Sequence, residues 1–333
     1  MERIRYVQIA AALVAILILG AALYNYVYLP SLPQELTKIK IATPVAPKDG
    51  FWEYQYAADA GMYREEGLEV EILIVRTPGE VAQALLSGDV DAALNVDSTI
   101  ASYLAGAEEV KVVSVMMRPS FALVVKAEVN SIQDVKSVAI PGRGSAADVM
   151  TREYLLQHGL EPDVDVSFQY LAIPTTLPAL LAGEVDGIAA GTNAYPALSS
   201  GEAKILFQYA KEFPQWCQSG LSVSEKTITE RPQIVKGLVR ALYRSQTDLM
   251  QDKENAMDYA INTLELDEDY ATFVYEFAFE GKYGVATKIT PDMPVADLEW
   301  NLQILAKQMG VPAKPIEGCI DTTFMDEVQK ELS

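Results

Sequence analysis

VAQALLSGDVDAALNVDST, residues 81–99, and LLAGEVDGIAAGTN, residues 180–193, say nearly the same thing twice. Laying Gly88 on Gly183 places Leu85 on Leu180, Leu86 on Leu181, Val90 on Val185 and Asp91 on Asp186, with Asp89 facing the like-charged Glu184. Each copy reads as the end of a helix, a glycine stop and the start of a short buried strand, because a helix commonly closes through a residue at positive φ, which glycine adopts without a Cβ clash. The apolar runs that follow, Val-Asp-Ala-Ala-Leu and Val-Asp-Gly-Ile-Ala-Ala, suit parallel strands covered by helices on both faces. Two copies predict two lobes. In open parallel sheets the ligand sits beyond the carboxyl ends of the strands. That rule selects Asn95, Asp97, Ser98 and Thr99 in the first copy and Thr192, Asn193 and Tyr195 in the second, although the same residue types also serve as ordinary turn and cap residues.

The repeat extends backwards. Val138-Ala139-Ile140-Pro141 echoes Ile41-Ala42-Thr43-Pro44, and in the first copy the alternating strand at residues 38–43 leads through a Pro- and Gly-rich loop into helix-like YQYAADAGMYREEG and a second strand at 70–75. That is a β-α-β unit. In the second copy Gly142-Arg143-Gly144-Ser145 precedes an expected helix over 146–157. A glycine-rich turn opening a helix leaves backbone N–H groups that can meet an anion, and Ser145 can either cap the helix or contact a ligand. Residues 121–125 should carry the chain from the first lobe to the second, and residues 221–224 should return it. From Thr229 as N-cap, with Pro232 in the first turn, a long amphipathic helix follows with Ile234, Leu238 and Leu242 on one face. Further helices are expected over 253–264, 269–280, 297–309 and 321–332.

Composition narrows the function. A chain of 333 residues, half of them hydrophobic, can bury a large core. Its net charge of −20 would repel a phosphate backbone, so nucleic acid is not an expected partner. Cys217 and Cys319 have no metal-ligand spacing, and a disulfide between them stays open. The single histidine, His158, sits at an expected helix end, which argues against a Ser-His-Asp or Cys-His catalytic arrangement.

The N-terminus reads separately. Arg3 and Arg5 precede VQIAAALVAILILGAAL at residues 7–23, long enough for a membrane span or the core of a signal peptide. Residues 1–28 are therefore an anchor or signal peptide, with the basic end inside and the acidic bulk of the chain outside. Residues 29–37 form a proline-stiffened linker.

Five blocks then carry a resemblance: AADAGMYREEGLEVEI (57–72), VAQALLSGDVDAAL (81–94), SIQDVKSVAIPGRGS (131–145), LPALLAGEVDGIAA (177–190) and SVSEKTITERPQIVKGLVRAL (222–242). In this order they resemble the solute-binding proteins of ABC importers of the aliphatic sulfonate, taurine, nitrate and thiamine-pyrimidine-precursor type. The resemblance implies an α/β fold of the type II periplasmic-binding-protein class. Residues 38–120 and 217–333 would form lobe 1 and residues 121–216 lobe 2, closing as a monomer on a small molecule and handing it to a permease and its ATPase, on the extracytoplasmic side of the membrane. No cofactor, metal or catalysis is expected. The implied ligand contacts are Phe51, Trp52, Ser98, Thr99, Arg143, Gly144, Ser145, Asn193 and Tyr195, with the aromatics as flat walls and Trp216 packing at the lobe junction. A small organic anion such as a sulfonate is the expected ligand, and a pyrimidine precursor is the alternative. Two rival classes are an enzyme of the same fold, such as a pyrimidine synthase or a menaquinone-pathway lyase, and an extracellular sensor module. The loop VAPKDGFWEY departs from the family's usual first-helix entry.

Overall fold

In the computed structural model, which describes residues 35–281 and 292–332, ten strands form two five-stranded mixed sheets. The expected membrane segment at 7–23 lies outside the described residues. Among the described residues no helix is long and apolar enough to cross a membrane. The strands are β1 (Thr37–Thr43), β2 (Leu68–Ile74), β3 (Ala92–Leu94), β4 (Val110–Val112), β5 (Ala122–Lys126), β6 (Ser137–Ile140), β7 (Ser167–Tyr170), β8 (Gly187–Ala190), β9 (Ala203–Gln208) and β10 (Leu221–Ser224). The helices used below are α1 (Trp52–Asp59), α2 (Pro78–Ser87), α3 (Val96–Leu104), α4 (Ala146–Gln157), α5 (Ile173–Leu181), α6 (Pro232–Gln251), α7 (Glu268–Ala278) and α8 (Val295–Met309).

The first sheet runs β2-β1-β3-β10-β4 and the second β7-β6-β8-β5-β9. The duplicated sequence becomes duplicated geometry. β1 pairs parallel to β3 with Ile41 opposite Ala92, and β6 pairs parallel to β8 with Val138 opposite Gly187. Gly88 and Gly183 adopt φ of 77° and 76°, the left-handed helix stop that their position in each repeat calls for. The repeated aspartates are sheet clamps. Asp91 accepts from the Lys40 N–H through its carboxylate (2.9 Å), and Asp186 accepts from the Lys136 N–H in the same way (2.9 Å). At Asp186 burial pushes the carboxyl up, but the Lys136 N–H, Lys126 and Ser137 outweigh it and the group sits below its usual range.

The fourth strand of each sheet is antiparallel and arrives from the other half: β5 follows the segment leaving β4, and β10 follows the segment leaving β9. The two crossing segments touch. Met117 and Ser219 form an antiparallel bridge, with Ser219 accepting from the Met116 N–H at 2.8 Å. Arg118 ties this junction to α8, donating to the Gln215 carbonyl at 2.8 Å and pairing with Asp297 at 2.5 Å. Trp216 is fully buried here and meets Trp300 edge-on.

Several local expectations shift. The single helix expected after the first loop breaks at Gly61 (φ 77°), leaving α1 and one short turn, Met62–Glu65. Thr229 is not the cap of the long helix: Ser224 caps a short helix, Glu225–Glu230, and α6 begins at Pro232, whose missing N–H costs nothing in a first turn. α6 buries Val235, Leu238, Val239, Leu242 and Leu249, the stripe that its period predicts. Cys217 and Cys319 are both free and buried.

Gly220 sits where the crossing segments come closest; a Cβ there would lie 2.0 Å from the Ser114 carbonyl oxygen and 2.8 Å from the Val115 Cα. Backbone atoms cannot yield as a flexible side chain would. Gly220→Ala should therefore destabilise the fold by roughly 3 kcal/mol or more, read as a lowered urea midpoint, whereas Gly61→Ala strains only its own backbone and should cost about 1 kcal/mol.

Candidate functional site

The carboxyl ends of β1 and β3 in one sheet and of β6 and β8 in the other open onto a common cavity of about 310 Å³. Phe51, Phe121, Ile173, Pro174 and Phe277 supply apolar wall, and Asn95, Asp97, Ser145, Thr192, Asn193 and Gln218 supply polar groups. By area the wall is mostly apolar, with the polar groups converging on it, as small-molecule sites show.

Each polar group is placed by its element. Asn95 is the N-cap of α3, its Oδ1 accepting from the Ser98 N–H at 2.9 Å. Asp97 follows in the first turn of α3 and is 4% exposed, with Oδ1 accepting from the Ser98 N–H at 2.8 Å. Burial pushes its carboxyl up to about 7, partly offset by the Ser98 N–H. The indole N–H of Trp216 and the backbone N–H of Ala146 also favour its ionised form, the indole without reaching hydrogen-bond geometry. Ser145 caps α4, with Oγ accepting from the Asp148 N–H at 3.3 Å. The Asn193 carbonyl accepts from the Gly191 N–H at 3.0 Å, which turns its amide nitrogen to the opposite side.

The mouth is bridged. Thr192 Oγ1, beyond β8, donates to the Asp49 carbonyl in the loop after β1. Tyr270 on α7 donates to Asp49 Oδ1 at 3.1 Å and packs on Tyr195, centroids 5.3 Å apart.

Of the nine residues expected as ligand contacts, Phe51, Ser145 and Asn193 line the cavity. Trp52 does not: as the first residue of α1 it is fully buried against Tyr275 and Phe279, while Phe51 precedes the helix as its N-cap. Thr99 is also turned inward, its one hydroxyl 2.9 Å from both the Asn95 carbonyl oxygen and Ser222 Oγ. Ser98 is spent on capping, with Oγ donating to Asn95 Oδ1 at 2.8 Å, so in the first repeat Asn95 and Asp97 face the cavity instead. Arg143 and Gly144 lie at a separate, smaller depression against α8, beside Arg152 and Met309. Tyr195 packs on Tyr270 and Phe273 at the bridge. His158 ends α4, its Nδ1 2.8 Å from the Tyr154 carbonyl, away from the cavity. Among the contributors not expected, Phe121 could have been found as the aromatic at the first crossing; Phe277 lies in the last turn of α7 with no local signal.

The fold is that of the periplasmic solute-binding proteins. It is similar to the nitrate-binding protein NrtA of Synechocystis PCC 6803, with a TM-score of 0.73 and 13% identity over 90% of each chain. It is also similar to the alkanesulfonate-binding protein SsuA of Xanthomonas axonopodis pv. citri bound to MOPS, with a TM-score of 0.71 and 16% identity over 87% of this chain and 99% of that one. The chain belongs to the NMT1/THI5-like family, which it matches over residues 50–256. A curated relative is the riboflavin-binding protein RibY of Chloroflexus aurantiacus, 23% identical over 240 residues that cover 70% of this chain and 68% of the relative.

Behind Phe51, Glu53 is fully buried with neither carboxylate oxygen partnered, and burial pushes its carboxyl up to about 8. A folded-state value above the unfolded one means that the native state holds more protons across that interval, so stability is full below about pH 4.5 and declines as pH rises towards 8. Glu53→Gln should flatten this decline, raising the urea midpoint at pH 8 by an amount worth a few kcal/mol and changing it little at pH 4.5.

Proposed function

We propose that the protein is the extracytoplasmic solute-binding component of an ABC importer, capturing a small molecule between two lobes and delivering it to a permease. The observation that carries this reading is the single cavity at the facing strand ends of two duplicated sheets joined by two touching crossings. Residues 38–120 with 217–333 would move as one lobe and residues 121–216 as the other. Closure needs a ligand with greater affinity for the closed state, which groups drawn from both sheets provide. Asn95 and Asp97 come from one side and Ser145 and Asn193 from the other. The bridge from Thr192 to the Asp49 carbonyl would form on closing.

Among the described residues, the titratable side chains lining the cavity are Asp49, Arg76 and Asp97. Residues 1–28 would tether the protein to the outer face of the membrane or be removed on export. The relatives bring two ligand chemistries into view: oxyanions, in the names of the nitrate- and alkanesulfonate-binding structures, and a flavin, in the name of the curated relative.

A thermal-shift screen against nitrate, alkanesulfonates, taurine, pyrimidines and riboflavin tests the reading. A ligand at a hundred times its dissociation constant should stabilise the chain by roughly 2.7 kcal/mol. Asn193→Ala should weaken that ligand by about five- to tenfold, the worth of one neutral hydrogen bond. Turnover of the bound compound, or shifts unaffected by the substitution, would refute the assignment.

A further inference from the structure

Two of the helix starts at the cavity, those of α3 and α4, carry a carboxylate of their own, whereas that of α5, at Ile173 and Pro174, has none in its first turn. The first turn of α3 holds Asp97, and the first turn of α4 holds Asp148, whose Oδ2 accepts from the Gly144 N–H at 2.8 Å and whose Oδ1 accepts from Arg152 Nε at 2.9 Å. The positive end of a helix is where an incoming oxyanion would find its compensation. At those two starts that compensation is taken. Among the described residues, the charged groups lining the cavity besides Asp97 are Asp49, bonded to Tyr270, and Arg76, whose side chain is 80% exposed and paired with Glu80 at 3.3 Å. An anion would enter a cleft containing two carboxylates and one outward-facing guanidinium.

Asp97 differs from Asp148 in having no ion-pair partner among the described residues. Its Oδ1 accepts from the Ser98 N–H, with the Ala146 N–H and the Trp216 indole N–H nearby. Such surroundings stabilise a carboxylate. The remaining acceptor capacity of a buried carboxylate at a cavity wall is costly unless something donates to it.

We propose that Asp97 is the specificity-determining residue of the cleft, accepting a hydrogen bond from an N–H or O–H group on an uncharged planar heterocycle held between Phe51, Phe121 and Phe277, and excluding oxyanions. The assignment rests on the cavity being the ligand site. Because burial pushes the Asp97 carboxyl up to about 7, the binding-competent ionised form is depleted in acid. Apparent affinity scales with that competent fraction, so binding should be roughly thirtyfold weaker at pH 5.5 than at pH 8.

Titration calorimetry on the chain at both pH values, with riboflavin and uracil as imide N–H donors and ethanesulfonate and nitrate as oxyanions, tests this. The expected result is binding of at least one donor ring, weaker in acid, with no heat from the oxyanions. Asp97→Asn should weaken the donor ring by at least tenfold and abolish its pH dependence; if the variant does not fold, the pH series on the unaltered chain decides. An oxyanion that binds, and loses affinity in Asn193→Ala, would overturn the role of Asp97 and leave the solute-binding reading standing. Tighter donor binding at pH 5.5 would do the same. No binding by any probe that responds to Asn193→Ala would overturn both.

Discussion

Each sheet is completed by a strand that the other half delivers. β5 lies between β8 and β9, and β10 between β3 and β4, so neither sheet closes its hydrogen-bond ladder from its own repeat alone. The strands that carry the fold's duplication, β1 with β3 and β6 with β8, are parallel and short, and parallel ladders of three or four residues are weak in isolation. Docking an antiparallel strand against each pair supplies the missing ladder and buries Leu221, Val223, Leu123 and Val125 completely. That exchange forces two crossings and brings them side by side at Met117 and Ser219. The cavity is a consequence: two sheets exchanging strands in this way turn their carboxyl ends towards each other.

Much of this was legible in the sequence because it was written twice. The glycine stops at Gly88 and Gly183, the strand starts that share Asp91 and Asp186, and the two crossing strands follow from a repeated pattern and from period, which are local properties. Helix beginnings were less legible. Thr229 looks like a cap, but Ser224, five residues earlier, has the hydroxyl that reaches a free N–H, that of Thr227 at 3.1 Å. Nothing in sequence alone decides between two hydroxyl-bearing candidates five residues apart.

The site was legible as a region and much less as a set of atoms. Strand ends and helix starts led to loops that line the cavity. Which residue of a loop faces inward is set by the helix turn that follows it, and one position is enough to exchange roles. Phe51 lines the cavity while Trp52 is core; Asn95 and Asp97 line it while Ser98 and Thr99 serve α3 and β10. Phe277 enters from α7, more than eighty residues beyond the second repeat, so only packing could have brought it to notice.

The clasp between Thr192 and residue 49 ends on a main-chain oxygen. A carbonyl is present whatever amino acid occupies the position, so that tie of the clasp survives substitution there, whereas the tie from Tyr270 ends on the Asp49 carboxylate and does not. In the proposed binding cycle, a descendant altered at residue 49 would keep one fastening and lose the other.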